Sequence, residues 1–412
     1  SKRAIHRVLE NKKIKGGTYI YKGCHDEKYS KFIKNKCNQL LILDQELSPN
    51  VELVESLAKI RIIPESIPYI DKYFVVNETI KNSIAKIYPE LDHRICASGW
   101  PRLEILQSKY NDLYQNDVSQ IQNKFGSYIL FASDFGILSE SCIENRSRQE
   151  KEHINRRPDL SLDDAYDQKI MHSFMHELES TITFLKELSS IESLPKIIIR
   201  PHPSEDESIW HSIVDNHKNI LIESSGDITY WIKGCKALIH RGSSSAVQAF
   251  ALKTPSFYFV SDENVVRKNI SYKISNKIKS ANEFLSSFYN SKSEFFDLDN
   301  DNQTLKELPL KAESCSEVIS NINFNLIQDE RPYSKNILYN FQNKIIDFYV
   351  NNLKRSSKYN IQSEKNKLGE FGIVNDEVKF PISVFSELYN SKSTNISVKK
   401  IQNNLYQIDK KE

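Results

Sequence analysis

The chain lacks a dominant charge. Of its 412 residues, 56 are Lys or Arg and 54 are Asp or Glu, giving a formal net charge of +2, so no broad field exists to hold a polyanion and no nucleic-acid partner is expected. It also lacks a long apolar run. Nothing approaches the roughly 18 residues of a membrane span, and no signal peptide is visible. Its six cysteines, Cys24, Cys37, Cys96, Cys142, Cys235 and Cys315, are scattered without Cys-x-x-Cys spacing. That argues against a zinc site and a disulfide framework and for a reducing, cytoplasmic compartment. No internal repeat is evident. Binding must be done by local sites.

What is present is an alternation of short apolar runs with helix-like segments. Residues 18–21, 40–43, 73–76 and 94–97 read as strands, with helices at 28–35, 51–59 and 78–88 between them, a rhythm of βα units on a parallel sheet. The series closes at Ser98-Gly99-Trp100-Pro101-Arg102, and a helical link over 103–124 leads to a second series. Its strands are expected at 128–132, 197–200, 220–223, 237–240 and 256–260, with helices at 166–188, 205–216, 228–233 and 244–252. The polar stretch 140–164 reads as an exposed loop or lid. From about Asn269 the composition turns to Asn, Lys and Ser, and loops are expected around 290–304. Helical periodicity returns at 337–353, and 382–389 with 396–408 reads as a small helix-plus-strand unit. The chain opens at Ser1 in a basic, helix-like stretch, so the first strand of the first unit is expected upstream of it. The organisation expected is an acceptor-side α/β unit over 1–124, a nucleotide-binding α/β unit over 125–330 and a C-terminal extension over 331–412.

Two strand ends carry the chemistry. The runs 196–200 and 237–240 stop at Arg200-Pro201-His202-Pro203 and at His240-Arg241-Gly242-Ser243-Ser244-Ser245. Each is followed by a helix-like segment, which puts both clusters at the carboxyl edge of a parallel sheet, where ligands bind. Fixed positive charge, imidazoles, hydroxyls and helix-start amides suit a phosphate. Pro201 and Pro203 hold their neighbours extended, and Ser204 or Glu205 can cap the next helix; a plain proline-rich strand exit is the bland alternative. Gly242 permits close backbone approach, and the serines either form an anion nest or simply cap a helix. Asp134, just past the 128–132 strand, serves equally as nucleophile, base, sugar-hydroxyl acceptor or Asx-turn residue. Glu46 stands at the matching strand end of the first unit, where an N-cap role competes. Asp297 and Asp299 form an Asp-x-Asp pair in a polar loop remote from the phosphate cluster and are discounted as a metal motif.

With these residues in view, the chain resembles bacterial surface-polysaccharide glycosyltransferases of the GT-B fold, similar to the retaining β-Kdo transferases of capsule and O-antigen assembly. The resemblance rests on His202-Pro203, on Ser243–Ser245 followed by Gln248 and the stretch to Pro255, and on 98–102. It departs at Asp134-Phe135-Gly136, where relatives often carry Asn-Phe-Gly-like text. It implies two Rossmann-like domains facing a central cleft and a CMP-sugar donor, CMP-Kdo, whose phosphate and ribose meet the His-Pro and serine motifs. The donor set expected is Arg200, His202, Pro203, Glu205, His240, Arg241, Gly242, Ser243, Ser244, Ser245 and Gln248. The catalytic pair expected is Asp134 as nucleophile and Glu46 assisting the acceptor.

The leaving phosphate gains negative charge, so cationic and amide donors can do the stabilising, with no metal or other cofactor expected. The acceptor implied is a glycan or glycolipid of a bacterial surface polysaccharide such as lipopolysaccharide, reached in the cytoplasm or at the periphery of the inner membrane with the assembly machinery. A CDP-glycerol-type phosphotransferase, a nucleotide-sugar epimerase and a non-catalytic nucleotide-sugar binder stay open beside this reading.

Overall fold

The computed structural model describes residues 17–24, 26–44, 54–138, 164–203, 205–214, 217–263, 269–290, 304, 307–311, 313–322, 396–402 and 405–410. Its first sheet holds four parallel strands in sequential order, β1 (Thr18–Tyr21), β2 (Gln39–Leu43), β3 (Lys72–Val75) and β4 (Ile95–Ala97). Between them run α1 (Glu27–Lys36), α2 (Val54–Arg61) and α3 (Glu78–Ile87). Local chemistry starts two of these helices: Asp26 accepts the Tyr29 N–H at 2.8 Å, and Asn77 the Ile80 N–H at 2.9 Å, each satisfying an orphan amide of a first turn. Leu40, Ile42, Tyr73 and Val75 face the helices, while Leu41 and Phe74 face the other way.

The expected single helical link over 103–124 is broken into one turn at Pro101–Glu104, a 3₁₀ segment at Ser108–Leu113 and α4 (Gln115–Phe125). α4 lies against the second sheet's helices: Gln122 donates to the Gly234 carbonyl at 3.1 Å, and Phe125 packs on Trp231.

The second sheet has six parallel strands in the order β10-β9-β8-β5-β6-β7. These are β5 (Tyr128–Ala132), β6 (Lys196–Arg200), β7 (Ile220–Ile222), β8 (Ala237–His240), β9 (Ser256–Phe259) and β10 (Asn276–Ile278). Its helices are α5 (Asp164–Ser189), α6 (Ser208–Val214), α7 (Ile228–Gly234), α8 (Ser245–Ala251) and α9 (Ala281–Asn290). β5, β8 and β9 are buried along their whole length, as strands covered by helices on both faces must be. One face packs Phe131, Ile199 and Phe257 against Phe184, Trp210 and Phe284; the other packs Leu130, Ile198 and Leu238 against Trp231, Ile232 and Val247. β10 was not expected, because a three-residue edge strand reading Asn-Lys-Ile carries too little apolar signal.

Residues 307–311 and 313–322 return to the first sheet. Asn77 donates to the Glu307 carbonyl at 2.6 Å, Trp100 N–H to the Pro309 carbonyl at 2.9 Å, and Glu104 accepts the Cys315 N–H at 2.6 Å. Val318 of α10 (Ser314–Ser320) covers Leu41 and Phe74. Gly99 makes the crossing possible: its φ is +76°, and a Cβ there would lie 2.9 Å from Lys311 Cβ and 3.0 Å from the Pro309 carbonyl. The segment also bonds to the second unit, where Lys273 Nζ donates to Glu307 Oε2 at 2.7 Å.

The two-sheet α/β layout is the one the GT-B expectation describes. Of the C-terminal extension, an antiparallel hairpin of β11 (Ile396–Gln402) and β12 (Leu405–Lys410) is described. The helix expected at 337–353, that at 382–389 and the loop at 140–163 lie outside the described residues, as do Glu46, Asp297 and Asp299. No helix among the described residues is long and apolar enough to cross a membrane.

Candidate active site at the carboxyl edge of the second sheet

Strand order fixes where a ligand fits. From β5 the chain moves to β6 and β7 on one side, then returns to place β8, β9 and β10 on the other. The switch point therefore lies between β5 and β8, at whose carboxyl ends open α/β sheets take ligands. Ala132 is in register with His240, so Ser133 and Asp134 stand beside Arg241 and Gly242.

Asp134 and Arg241 meet there. Arg241 Nη2 lies 3.3 Å from Asp134 Oδ1, the arginine side chain 2% and the aspartate 15% exposed. A second carboxylate, that of Glu177 on α5, pairs with Nη1 of the same guanidinium. Aromatic rings close the arginine in: its guanidinium carbon sits 4.3 Å from the Phe135 ring centre and 4.8 Å from that of Phe174. A planar, weakly hydrated cation tolerates such a setting where an ammonium would not. Glu177 was not among the expected residues. A glutamate inside a 26-residue helix gives no sequence sign that its turn faces the sheet edge.

The turn after β8 is tied down from within. His240 is fully buried; its Nδ1 accepts the Gly242 N–H at 3.1 Å, so its Nε2 carries the proton toward Ser275 Oγ at 2.9 Å. Gly242 has φ +127°, a backbone open to glycine and strained for other residues. Its carbonyl accepts from Asn269, and that of Ser243 from the Ser271 hydroxyl at 2.8 Å. Ser243 and Ser245 are spent on one another, Oγ to Oγ at 2.9 Å and N–H to Oγ at 3.2 Å. Ser244 is the exposed hydroxyl of the turn, and Gln248 is half-buried with its Oε1 lacking a hydrogen-bond partner.

The β6 end divides between outside and inside. His202 and Pro203 are exposed. Arg200 is buried, and its guanidinium donates to three carbonyls of the loop after β7: Glu223 at 2.8 Å, Ser225 at 2.6 Å and Gly226 at 2.8 Å. Burial lowers its pKa to about 10, leaving it charged at neutral pH. Glu205 is buried under the β5 loop, accepting from Ser133 Oγ and the Phe135 N–H, both at 2.6 Å, and from Trp210 Nε1 at 3.0 Å. Its desolvation raises the carboxyl above the usual range even against those donors.

The expected donor set divides by burial. Arg200, Glu205, His240 and Arg241 are buried and bonded to carbonyls, amides, hydroxyls and carboxylates inside the fold. Proline-rich and serine-rich text marks a strand end but does not say which side chains turn inward. His202, Pro203 and Ser244 are exposed, Gly242 and Gln248 half-buried, and Ser243 and Ser245 shape the turn.

Among the described residues thiol chemistry finds no footing. Burial pushes Cys24, Cys235 and Cys315 up to about 12 and Cys37 and Cys96 to about 11, so none of these five presents a thiolate at neutral pH. Among the described residues no three His, Cys, Asp or Glu side chains gather around a common point fit for a metal ion.

No protein-family model and no curated protein sequence matches the chain. Among solved structures, it is similar to the UDP-GlcNAc 2-epimerase of Methanocaldococcus jannaschii in complex with UDP-GlcNAc and UDP. That match has 12% identity and a TM-score of 0.46, and covers 77% of this chain and 78% of the other. The UDP-GlcNAc 2-epimerase of Neisseria meningitidis bound to UDP-GlcNAc matches at 10% identity and TM-score 0.46, over 77% and 79%. A variant of the wall teichoic acid polymerase TagF matches at 14% identity and TM-score 0.33, over 70% and 60%. At such identities and scores the site has to be read from this chain's own geometry.

Proposed function

We propose that the chain is a glycosyltransferase that takes a sugar from a nucleotide-linked donor, in the finer reading Kdo from CMP-Kdo, and passes it to a glycan or glycolipid acceptor of a bacterial surface polysaccharide. One observation carries this reading: a carboxylate that is still partly open, Asp134, stands at the β5/β8 switch point beside the Gly242–Ser245 turn. The His202-Pro203 exit lies one strand away, on β6. In this reading His202, the Ser244 hydroxyl and the amides of the turn receive the donor phosphate, with Gln248 at its margin. The charge that builds on the leaving phosphate is met by donors already in place.

Asp134 then does the covalent work. A carboxylate oxygen bonds to the anomeric carbon as the bond from that carbon to the phosphate oxygen breaks, its electron pair leaving on the nucleotide. The acceptor hydroxyl displaces the resulting ester, its proton going to a base, for which Glu46 is the candidate, and the carboxylate is restored. Two inversions leave the configuration retained.

The test is to incubate the protein with CMP-, CDP- and UDP-linked sugars and follow nucleotide release and intact mass. Release of CMP with a one-sugar adduct on the peptide holding Asp134 is the expected result. Release from a CDP- or UDP-linked compound alone would overturn the CMP assignment, an adduct on another peptide would overturn the nucleophile, and nucleotide binding without any release would reduce the chain to a binder.

A further inference from the structure

The cap of α6 is Asp206, whose carboxylate accepts the Ser208 N–H at 3.0 Å, and this leaves the neighbouring Glu205 to other partners. Its Oε1 takes two donors at 2.6 Å, the Ser133 hydroxyl and the Phe135 N–H. These are the residues on either side of Asp134. Its Oε2 takes Trp210 Nε1 at 3.0 Å, and the Trp210 ring packs in turn on that of Phe135, their centres 5.9 Å apart. The main chain reaches the other way: Glu205 N–H donates to the His202 carbonyl at 2.7 Å. One buried residue therefore joins the turn that carries Asp134 to the strand exit that carries His202.

We infer that Glu205 is a positioning residue, which fixes Asp134 relative to His202 by holding both of the residues that flank it. This rests on the proposed function above, in which Asp134 attacks the anomeric carbon of a donor whose phosphate His202 receives. That carbon is bonded to a phosphate oxygen, so the seat of the phosphate sets where the carbon lies. Attack then needs the carboxylate oxygen within about 3–3.5 Å of it and in line with the bond that breaks. Ser133 and Phe135 are buried and bonded to Glu205, while Asp134 between them stays partly exposed. A hydroxyl and an amide held by one oxygen remove backbone freedom at both neighbours of the reacting side chain. Burying a carboxyl is unfavourable unless it is bonded, and here the bonds reach both halves of the site. Glu205 acts through Asp134, from beneath the turn.

Hydrogen exchange tests the hold on the turn without needing activity. Glu205→Leu removes both oxygens at similar size. The peptide containing Phe135 should then exchange at least about tenfold faster than in wild type, with the peptide containing Ala237–His240 unchanged. An unchanged rate at Phe135 overturns the inference, and so does a rise shared equally by both peptides.

The kinetic arm reads kcat against KM. Glu205→Leu should lower kcat for nucleotide-sugar turnover about a hundredfold, with the donor KM and the CMP Kd within about twofold of wild type. Glu205→Gln keeps one acceptor oxygen and should recover part of the loss, standing about tenfold below wild type. A glutamate that served the fold alone would lower the Tm and leave kcat per folded molecule where it was; that result overturns the inference. Should Glu205→Leu fail to fold, Ser133→Ala decides, since it removes one hydroxyl bond and leaves the carboxyl its other donors: kcat should fall about tenfold, and an unmoved kcat overturns the inference. A wild-type protein inert toward every nucleotide sugar, with faster exchange at Phe135 in Glu205→Leu, would instead sink the proposed function and leave Glu205 as the residue that holds the turn.

Discussion

Each sheet of this protein places an aspartate just after a strand and pairs it with an arginine, and the two pairs are built in opposite senses. After β2, Asp44 has a fully buried side chain that takes Arg61 through Nε at 2.9 Å and Nη2 at 2.7 Å and the Tyr73 hydroxyl at 2.7 Å, while Arg61 is 25% exposed. After β5 the arginine is the buried member, and the aspartate is partly open, at 3.3 Å from it. Asp44 is saturated. It ties the helix that carries Arg61, and through the Arg61 bond to the Lys22 carbonyl at 3.2 Å the end of β1, to the sheet. Asp134 shares its arginine with another carboxylate and stays partly exposed. Residue type and strand-end position are the same in both; burial of the carboxylate separates them.

Substitution of the two aspartates should separate them most widely. Asp134→Asn is expected to cut transfer roughly a thousandfold or more while leaving nucleotide affinity near wild type and costing less stability than loss of the Asp44 carboxylate. Asp44→Asn, by leaving buried donors and a charge without their partner, is expected to cost ~3–5 kcal/mol in urea unfolding. Equal stability losses in the two variants would erase the distinction.

Arg200 extends the contrast to a cation. Its three carbonyl bonds need a planar fork, so Arg200→Lys should destabilise by about 1–3 kcal/mol and loosen the 223–226 loop in hydrogen exchange; an unchanged melting curve would argue that the guanidinium is free for ligand. His202→Ala should do the reverse, leaving the melting curve in place and weakening CMP binding by roughly 1–3 kcal/mol in calorimetry. Undiminished affinity in the folded variant would take His202 out of the site.

Smaller effects come from the titration of Glu205 and from metal. The folded-state pKa of Glu205 is raised by burial, so its protonation stabilises the fold. That contribution is fully present below the unfolded value near 4.3 and is lost as pH rises through the folded one. Wild type should therefore gain stability over Glu205→Gln as pH falls from 7 toward 4.5; a gap that shrinks on acidification would contradict the burial argument. Donor turnover should survive EDTA, and loss restored by magnesium or manganese would bring Asp297 and Asp299 back into question.

Much of this was legible beforehand because the signals are local. Apolar runs such as Tyr128–Ala132 and Ala237–His240 sit at their expected residues, since a strand covered on both faces must be apolar throughout. Turn chemistry marked their ends. What escaped was weak or distant: β10 is three residues with two polar side chains, and the return of 307–311 and 313–322 to the first sheet depends on Gly99 meeting Pro309 and Lys311, which stand far along the chain from it.

The amino-acid sequence by itself determined the elements, the parallel character of the sheets and the two strand ends where chemistry collects, because periodicity, capping and turn residues act within a few positions. Only the tertiary structure decided which of those residues face outward. Arg200 and Arg241 read alike along the chain, as cations at strand ends. Carbonyls of the 223–226 loop claimed one, and Glu177 claimed the other through the packing of α5, a contact between distant segments that no local pattern encodes.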